Sequence, residues 1–199
     1  MPDTGAPWNI PYVEAADLVS DWPADSLALA NAIDAGLDAA GGLVAVKHAL
    51  FTGTQTNSTG GSANFAVTDL SITHTLADSS NKLIVSGYFG AAASSTQDGR
   101  VGIGMAVDGT LVNIGTAAGN RTQLTAGGNV GGSAVVTVTM PSFTYVYAPG
   151  DTSSHTYTLR AINIENSTHT LYINRDETDN DLADRPRATS GFVIQEVKV

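Results

Sequence analysis

The sequence predicts a mainly β protein: an antiparallel β-sandwich preceded by an extended N-terminal arm and one short α-helix. Three observations predict it. From residue 43 onward apolar and polar residues alternate at period two, in about nine or ten short runs separated by turn residues. One stretch alone, 25–40, keeps apolar residues at three- and four-residue spacing. No helical crossover lies between the period-two runs, which excludes a parallel α/β sheet.

Residues 1–23 carry Pro2, Pro7, Pro11 and Pro23 together with Trp8, Ile10, Tyr12 and Trp22. Prolines fix an extended path and remove backbone donors, so this segment cannot build a core of its own. Its large rings need a surface to bury against. Either the chain's own sandwich supplies that surface, or another subunit does, and the segment is then an attachment arm.

Residues 24–42 form the helical unit. Pro23 precedes it, Asp25 or Ser26 can cap it, and Gly41-Gly42 ends it. Leu27, Ala30, Ile33 and Leu37 make one narrow apolar stripe, flanked by Ala28, Ala32, Ala35 and Ala39. A helix of about four turns is marginal alone in water. Its stripe packs on the sandwich or, as the narrow seam and small flanks favour, on two copies of itself around a three-fold axis.

Residues 43–199 form the sandwich. Strands are predicted over 43–50, 65–76, 82–89, 100–107, 110–115, 135–139, 143–147, 156–164, 170–174 and 191–199. Asp78-Ser79-Ser80-Asn81 and Ala148-Pro149-Gly150-Asp151 read as turns, and Asp108-Gly109 is a hairpin signal. Three polar segments, 52–62, 115–132 and 176–187, read as exposed loops, the first of them mobile. As the segments where binding residues concentrate, they are the places to look for a receptor or glycan contact.

The chain holds 19 acidic and 9 basic residues, a formal charge of −10, and no cysteine. Disulfides and thiolate zinc sites are thereby excluded. An acidic surface repels phosphate backbones and anionic membranes, so nucleic-acid binding and membrane insertion are not expected. The first residues lack the basic and apolar regions of a secretory signal, so assembly in the cytoplasm is expected.

No nucleophile elbow, phosphate loop or zincin pattern is present, and no loop collects an acid, a base and oxyanion donors, so neither catalysis nor a cofactor is predicted. Gly102-Ile103-Gly104 falls inside a predicted strand with no helix after it, which signals close backbone packing or a bulge, not a dinucleotide site. His48, His74, His155 and His169 do not stand at metal-ligand spacing from one another. Asp176, Asp179 and Asp181, with Asp184 following, offer hard oxygen ligands at a spacing that can wrap Ca²⁺. They lack the glycine bend and distal glutamate of an EF-hand loop, and Arg175, Arg185 and Arg187 stand ready to neutralise them, the reading favoured here. Tyr88, Phe89, Tyr145, Tyr147, Tyr157 and Tyr172 all fall in predicted strands, as core or interface residues more than as a sugar platform.

Three stretches together resemble one family. Pro2-Asp3-Thr4-Gly5-Ala6-Pro7-Trp8-Asn9-Ile10-Pro11-Tyr12 resembles the N-terminal segments of small bacteriophage virion proteins of the tail-fibre-like or minor structural kind. Thr156-Tyr157-Thr158-Leu159-Arg160-Ala161 and Leu171-Tyr172-Ile173-Asn174-Arg175 resemble late strands of tail-fibre jelly-roll domains. Ser190-Gly191-Phe192-Val193-Ile194-Gln195-Glu196-Val197 looks like their closing strand. The resemblance implies a homotrimer on the phage tail, attached to tail or baseplate proteins through its N-terminal segment, with a jelly-roll head facing the host surface. The chain is short for a fibre and has no long coiled coil or β-helical shaft. A capsid decoration or head-fibre protein therefore stands as the alternative within virions, and a lectin-like or TNF-like binding module as the alternative outside them.

Overall fold

The computed structural model describes residues 22–39, 41–93, 100–129, 138–164, 167–183 and 185–199. Helix α1 (Trp22–Ala39) comes first. It begins earlier than the sequence suggests, so Pro23 lies inside its first turn, where a missing N–H costs no intrahelical bond, and Asp25 and Ser26 follow inside the helix. Gly41 takes φ 67° just beyond its end, a conformation that suits glycine after a helix.

Twelve strands follow among the described residues: β1 (Leu43–Phe51), β2 (Gln55–Thr59), β3 (Asn64–Thr75), β4 (Lys82–Tyr88), β5 (Ala91–Ala93), β6 (Arg100–Val107), β7 (Thr110–Val112), β8 (Ala126–Asn129), β9 (Ser142–Tyr147), β10 (Ser154–Asn163), β11 (His169–Ile173) and β12 (Ser190–Val197). They pair antiparallel into three sheets, ordered β1-β12-β4-β9, β3-β10-β6-β7 with β8 also on β6, and β2-β11-β5. The first two sheets lie face to face as a sandwich. Leu83, Val85, Phe192 and Ile194 from one pack against Ile103, Met105, Tyr157 and Leu159 from the other. Leu171 and Ile173 bring the third sheet into the same core.

Local chemistry explains the turns and one irregularity. Asp108 and Gly109 take φ 49° and 85°, the double positive φ of a two-residue hairpin between β6 and β7. In β3 the buried residues Val67, Leu70 and Ile72 break the period of two. The pairing with β10 shifts there, and Asp69 takes φ 58°, as in a β-bulge that returns the apolar side chains to the core. Gly102 and Gly104 sit within β6. A Cβ on Gly104 would stand 2.6 Å from a Leu111 methyl and 2.9 Å from an Ile162 methyl, so close packing is the reason for the glycine.

Two expectations need correction. The segment 52–62 is not simply a loop: Gln55–Thr59 pairs with β11 throughout. The segment 115–132 likewise contains Ala126–Asn129, paired with β6. Both strands are made by backbone pairing rather than by apolar alternation. The strand expected over 135–139 falls mostly outside the described residues, where Thr139 bridges Ala91.

The sandwich has two distinct ends. β1 starts beside the end of β12, where Leu43 pairs with Val197 and the Lys198 N–H donates to the Gly42 carbonyl (2.9 Å). The helix therefore joins at this end, near the turns at 76–81, 108–109 and 148–153. At the opposite end lie 52–62, 163–169 and 174–190. No helix among the described residues is long and apolar enough to cross a membrane.

Candidate assembly and binding surfaces

The register of the β1-β12-β4-β9 sheet fixes which side chains share each face. Ala49, Val85, Phe192 and Tyr145 face the core. The outer face therefore holds Val46, His48 and Leu50 of β1, Val193, Gln195 and Val197 of β12, Lys82, Ile84, Ser86 and Tyr88 of β4, and Ser142, Thr144 and Val146 of β9. The face mixes apolar with polar side chains, and its apolar residues are most open on the two edge strands: Val46 is 52% exposed, Leu50 51% and Val146 61%. Leu43 and Val44, at the irregular start of β1, extend it toward the helix. Over the glycine backbone of Gly191, Leu50 and Tyr88 lean together. Beside them a shallow hollow of about 420 Å³ is lined by His48, Ser86, Thr144 and Val193. Sequence reading missed this surface. Its signal was present in Leu43-Val44-Ala45-Val46, which is apolar at odd and even positions alike, as in strands covered on both faces.

The helix stripe is open as well. Leu27 is 62% and Ile33 45% exposed, and Ala30 is exposed beside them. The side chain of Leu37 lies outside the described residues, as do Trp8, Ile10 and Tyr12 of the arm and the side chain of Trp22.

The segments 52–62 and 176–187 meet at the end opposite the helix, and 115–132 reaches the same end through a hydroxyl pair, Ser62 to Thr122 at 2.6 Å. Their anchor is Asn174, fully buried and held at φ 60°. Its amide donates to the Phe51 carbonyl (2.8 Å) and the Gly53 carbonyl (2.9 Å), and its side-chain oxygen accepts from the Ser190 hydroxyl (2.6 Å). One short side chain thus ties the exit of β1, the exit of β11 and the entry of β12. Tyr172 stands on β11 with the Arg175 guanidinium 4.8 Å above its ring, and Arg175 also donates to the Thr56 hydroxyl (2.8 Å).

The acidic run is folded onto its arginines. The Asp176 side chain is 1% exposed, accepts from the Asp179 N–H (2.6 Å), and faces Arg185 at 3.6 Å. Asp179 pairs with Arg187 (2.6 Å) and Arg175 (3.4 Å). The two carboxylates that a cation would need thus face guanidinium groups. Asp181 is exposed, Asp184 lies outside the described residues, and no group of three or more potential ligands gathers among the described residues.

At the helix end, two histidines from neighbouring strands carry carboxylates. His155 is clamped from both sides: Nδ1 to Asp108 (2.6 Å) and Nε2 to Asp151 (3.1 Å). The hydrogen bond to Asp108, joined by that to Asp151, raises the His155 pKa above its ordinary value. The same bond, with the Thr156 N–H, lowers that of Asp108, and the Ser153 N–H and hydroxyl, joined by His155, lower that of Asp151. His74 pairs with Glu196 (2.8 Å) across the sandwich, and both are buried. Burial pushes the Glu196 pKa up, but hydrogen bonds from the Asn81 amide (2.6 Å), the Ala77 N–H (2.8 Å) and His74 outweigh it and leave the pKa lowered. Every one of these carboxylates is held by partners of its own, so the clusters fasten turns to strands.

No protein-family model matches the chain, and no curated protein matches it.

Proposed function

We propose that the chain is a structural, non-enzymatic virion protein of a bacteriophage: a homotrimeric tail fibre or baseplate-attached fibre with a role in host attachment. The observation that carries this reading is the open stripe of α1. Leu27 is 62% and Ile33 45% exposed instead of packing on the chain's own sheets. A helix of this length needs a partner in water, and the same helix from two further copies supplies one, the small Ala28, Ala32 and Ala35 allowing close approach.

The polarity of the sandwich supports the rest. Its helix enters at one end, and the polar segments gather at the other, as in a head held at its base and presented outward. The strand order supports a jelly roll: β1 lies beside β12 in one sheet and β3 beside β10 in the other, so early strands pair with late ones in both layers. Residues 1–23, with Trp8, Ile10, Tyr12 and Trp22, are then the segment that attaches to tail or baseplate proteins.

Light scattering on the full chain tests the trimer. The expected mass is three times the 20.4 kDa of one copy; a stable 20.4 kDa species at micromolar concentration overturns it. Labelling intact virions tests the location. Label at the tail is expected, and label spread over the capsid moves the protein to the decoration class.

A further inference from the structure

We infer that the outer face of the β1-β12-β4-β9 sheet is a second interface, on which the sandwich of one copy packs against the sandwich of another. Exposed valines and leucines alone do not name an occupant. Two further observations do.

The first is charge. The chain carries 19 acidic residues and a net charge of −10, yet no Asp or Glu lies on this face. Its ionisable side chains are Lys82, His48 and Tyr88. Two copies of so acidic a chain repel one another over most of their surfaces. They approach best through a face that has no carboxylate to desolvate or to oppose another. A basic partner would meet nothing here to pair with.

The second is continuity, and it rests on the reading of α1 as the seam between copies. The helix ends at Ala39 and β1 begins at Leu43, with Leu43, Val44 and Val46 leading directly onto the face. Copies joined at the helix hold their β1 strands near one another at high effective concentration. The two apolar surfaces of residues 27–50 are then covered by one association event. Among the described residues, β1 and β9 are the edge strands of this sheet. A copy seated over Val46 and Val146 shields both edges from open-ended strand addition.

Single charges test the face in the full chain. Val46→Asp and Val146→Asp each place a carboxylate on an already exposed position, so far-UV circular dichroism stays that of the wild type, while the melting temperature falls only as far as the lost association requires. Sedimentation velocity across a dilution series should show each variant dissociating at a concentration at least tenfold higher than wild type. Ser71→Asp, on the exposed outer side of β3, leaves assembly unchanged. Val46→Ala, which adds no charge, weakens assembly part-way and guards against a folding artefact.

Wild-type assembly in both aspartate variants overturns the interface. If Ile33→Asp then dissociates the chain while they do not, the helix seam stands and the face proposal alone fails. If the aspartate variants dissociate and Ile33→Asp does not, the face stands and the seam fails. If wild-type chains lacking residues 1–21 assemble more tightly through the face, the chain's own N-terminal segment covers it, which also overturns the proposal.

Discussion

At the scale of single residues, the polar side chains that fasten the fold are specified by position rather than by pattern. His155 reads in the sequence as one of four unrelated histidines. The fold brings Asp108, 47 positions earlier, to one ring nitrogen and Asp151 to the other. Its pKa is raised, so its stabilising contribution is complete below the ordinary value of 6.5 and is lost as pH rises through the higher folded value. The pKa values of Asp108 and Asp151 are lowered, so theirs is complete above the ordinary value of 3.8 and is lost as pH falls through the lower folded values. The clamp is therefore strongest between these limits. His155→Gln should flatten the loss of thermal stability on the alkaline side of pH 6.5. It should leave part of the acid limb, because Glu196 also has a lowered pKa and keeps its three donors. Melting temperatures from pH 3 to 9 check this, and an unchanged alkaline limb would show that the clamp contributes nothing. Asn174 was equally illegible. An asparagine after a strand suggests a turn, and nothing local reveals that its side chain will bond two distant chain segments.

At the scale of elements, legibility followed apolar content. The strands that became β1, β3, β4, β6, β10 and β12 are rich in apolar residues, because each lays at least one face on the core, and their expected bounds lie within a few residues of those observed. β2 and β5 escaped because Gln-Thr-Asn-Ser-Thr and Ala-Ala-Ala carry no alternation at all, and β8, Ala-Gly-Gly-Asn, carries little more. Their strand character comes from pairing with a neighbour, the context dependence expected of β-propensity. How closely the elements approach can be probed at a glycine. A Cβ on Gly87 of β4 would stand 2.7 Å from the Phe143 ring and 2.9 Å from the Phe192 Cβ. The ring end can swing; the Phe192 Cβ is fixed to its strand. Gly87→Ala should therefore cost about 1–3 kcal/mol in urea unfolding, as overpacked cores do. Gly42→Ala, where a Cβ meets nothing within 4 Å, should stay within about 0.5 kcal/mol of wild type.

At the scale of the whole molecule, net charge and apolar surface oppose each other, and salt separates them. Copies at −10 each repel through solvent, and that repulsion weakens as the Debye length contracts from about 30 Å at 0.01 M to about 8 Å at 0.15 M. The outer face of the β1-β12-β4-β9 sheet offers no carboxylates for ion pairs across an interface. The exposed stripe residues Leu27, Ala30 and Ile33 are uncharged too. Screening therefore removes repulsion and leaves the apolar attraction intact, while a contact built on Arg175, Arg185 or Arg187 would weaken in the same titration. Assembly of the full chain should tighten several-fold between 0.01 and 0.15 M NaCl and then change little, read as the dissociation midpoint in sedimentation at each salt concentration. Loosening over that range would place ion pairs at the contact and shift the interface to the arginine-bearing end of the sandwich, away from the helix and the acid-free sheet.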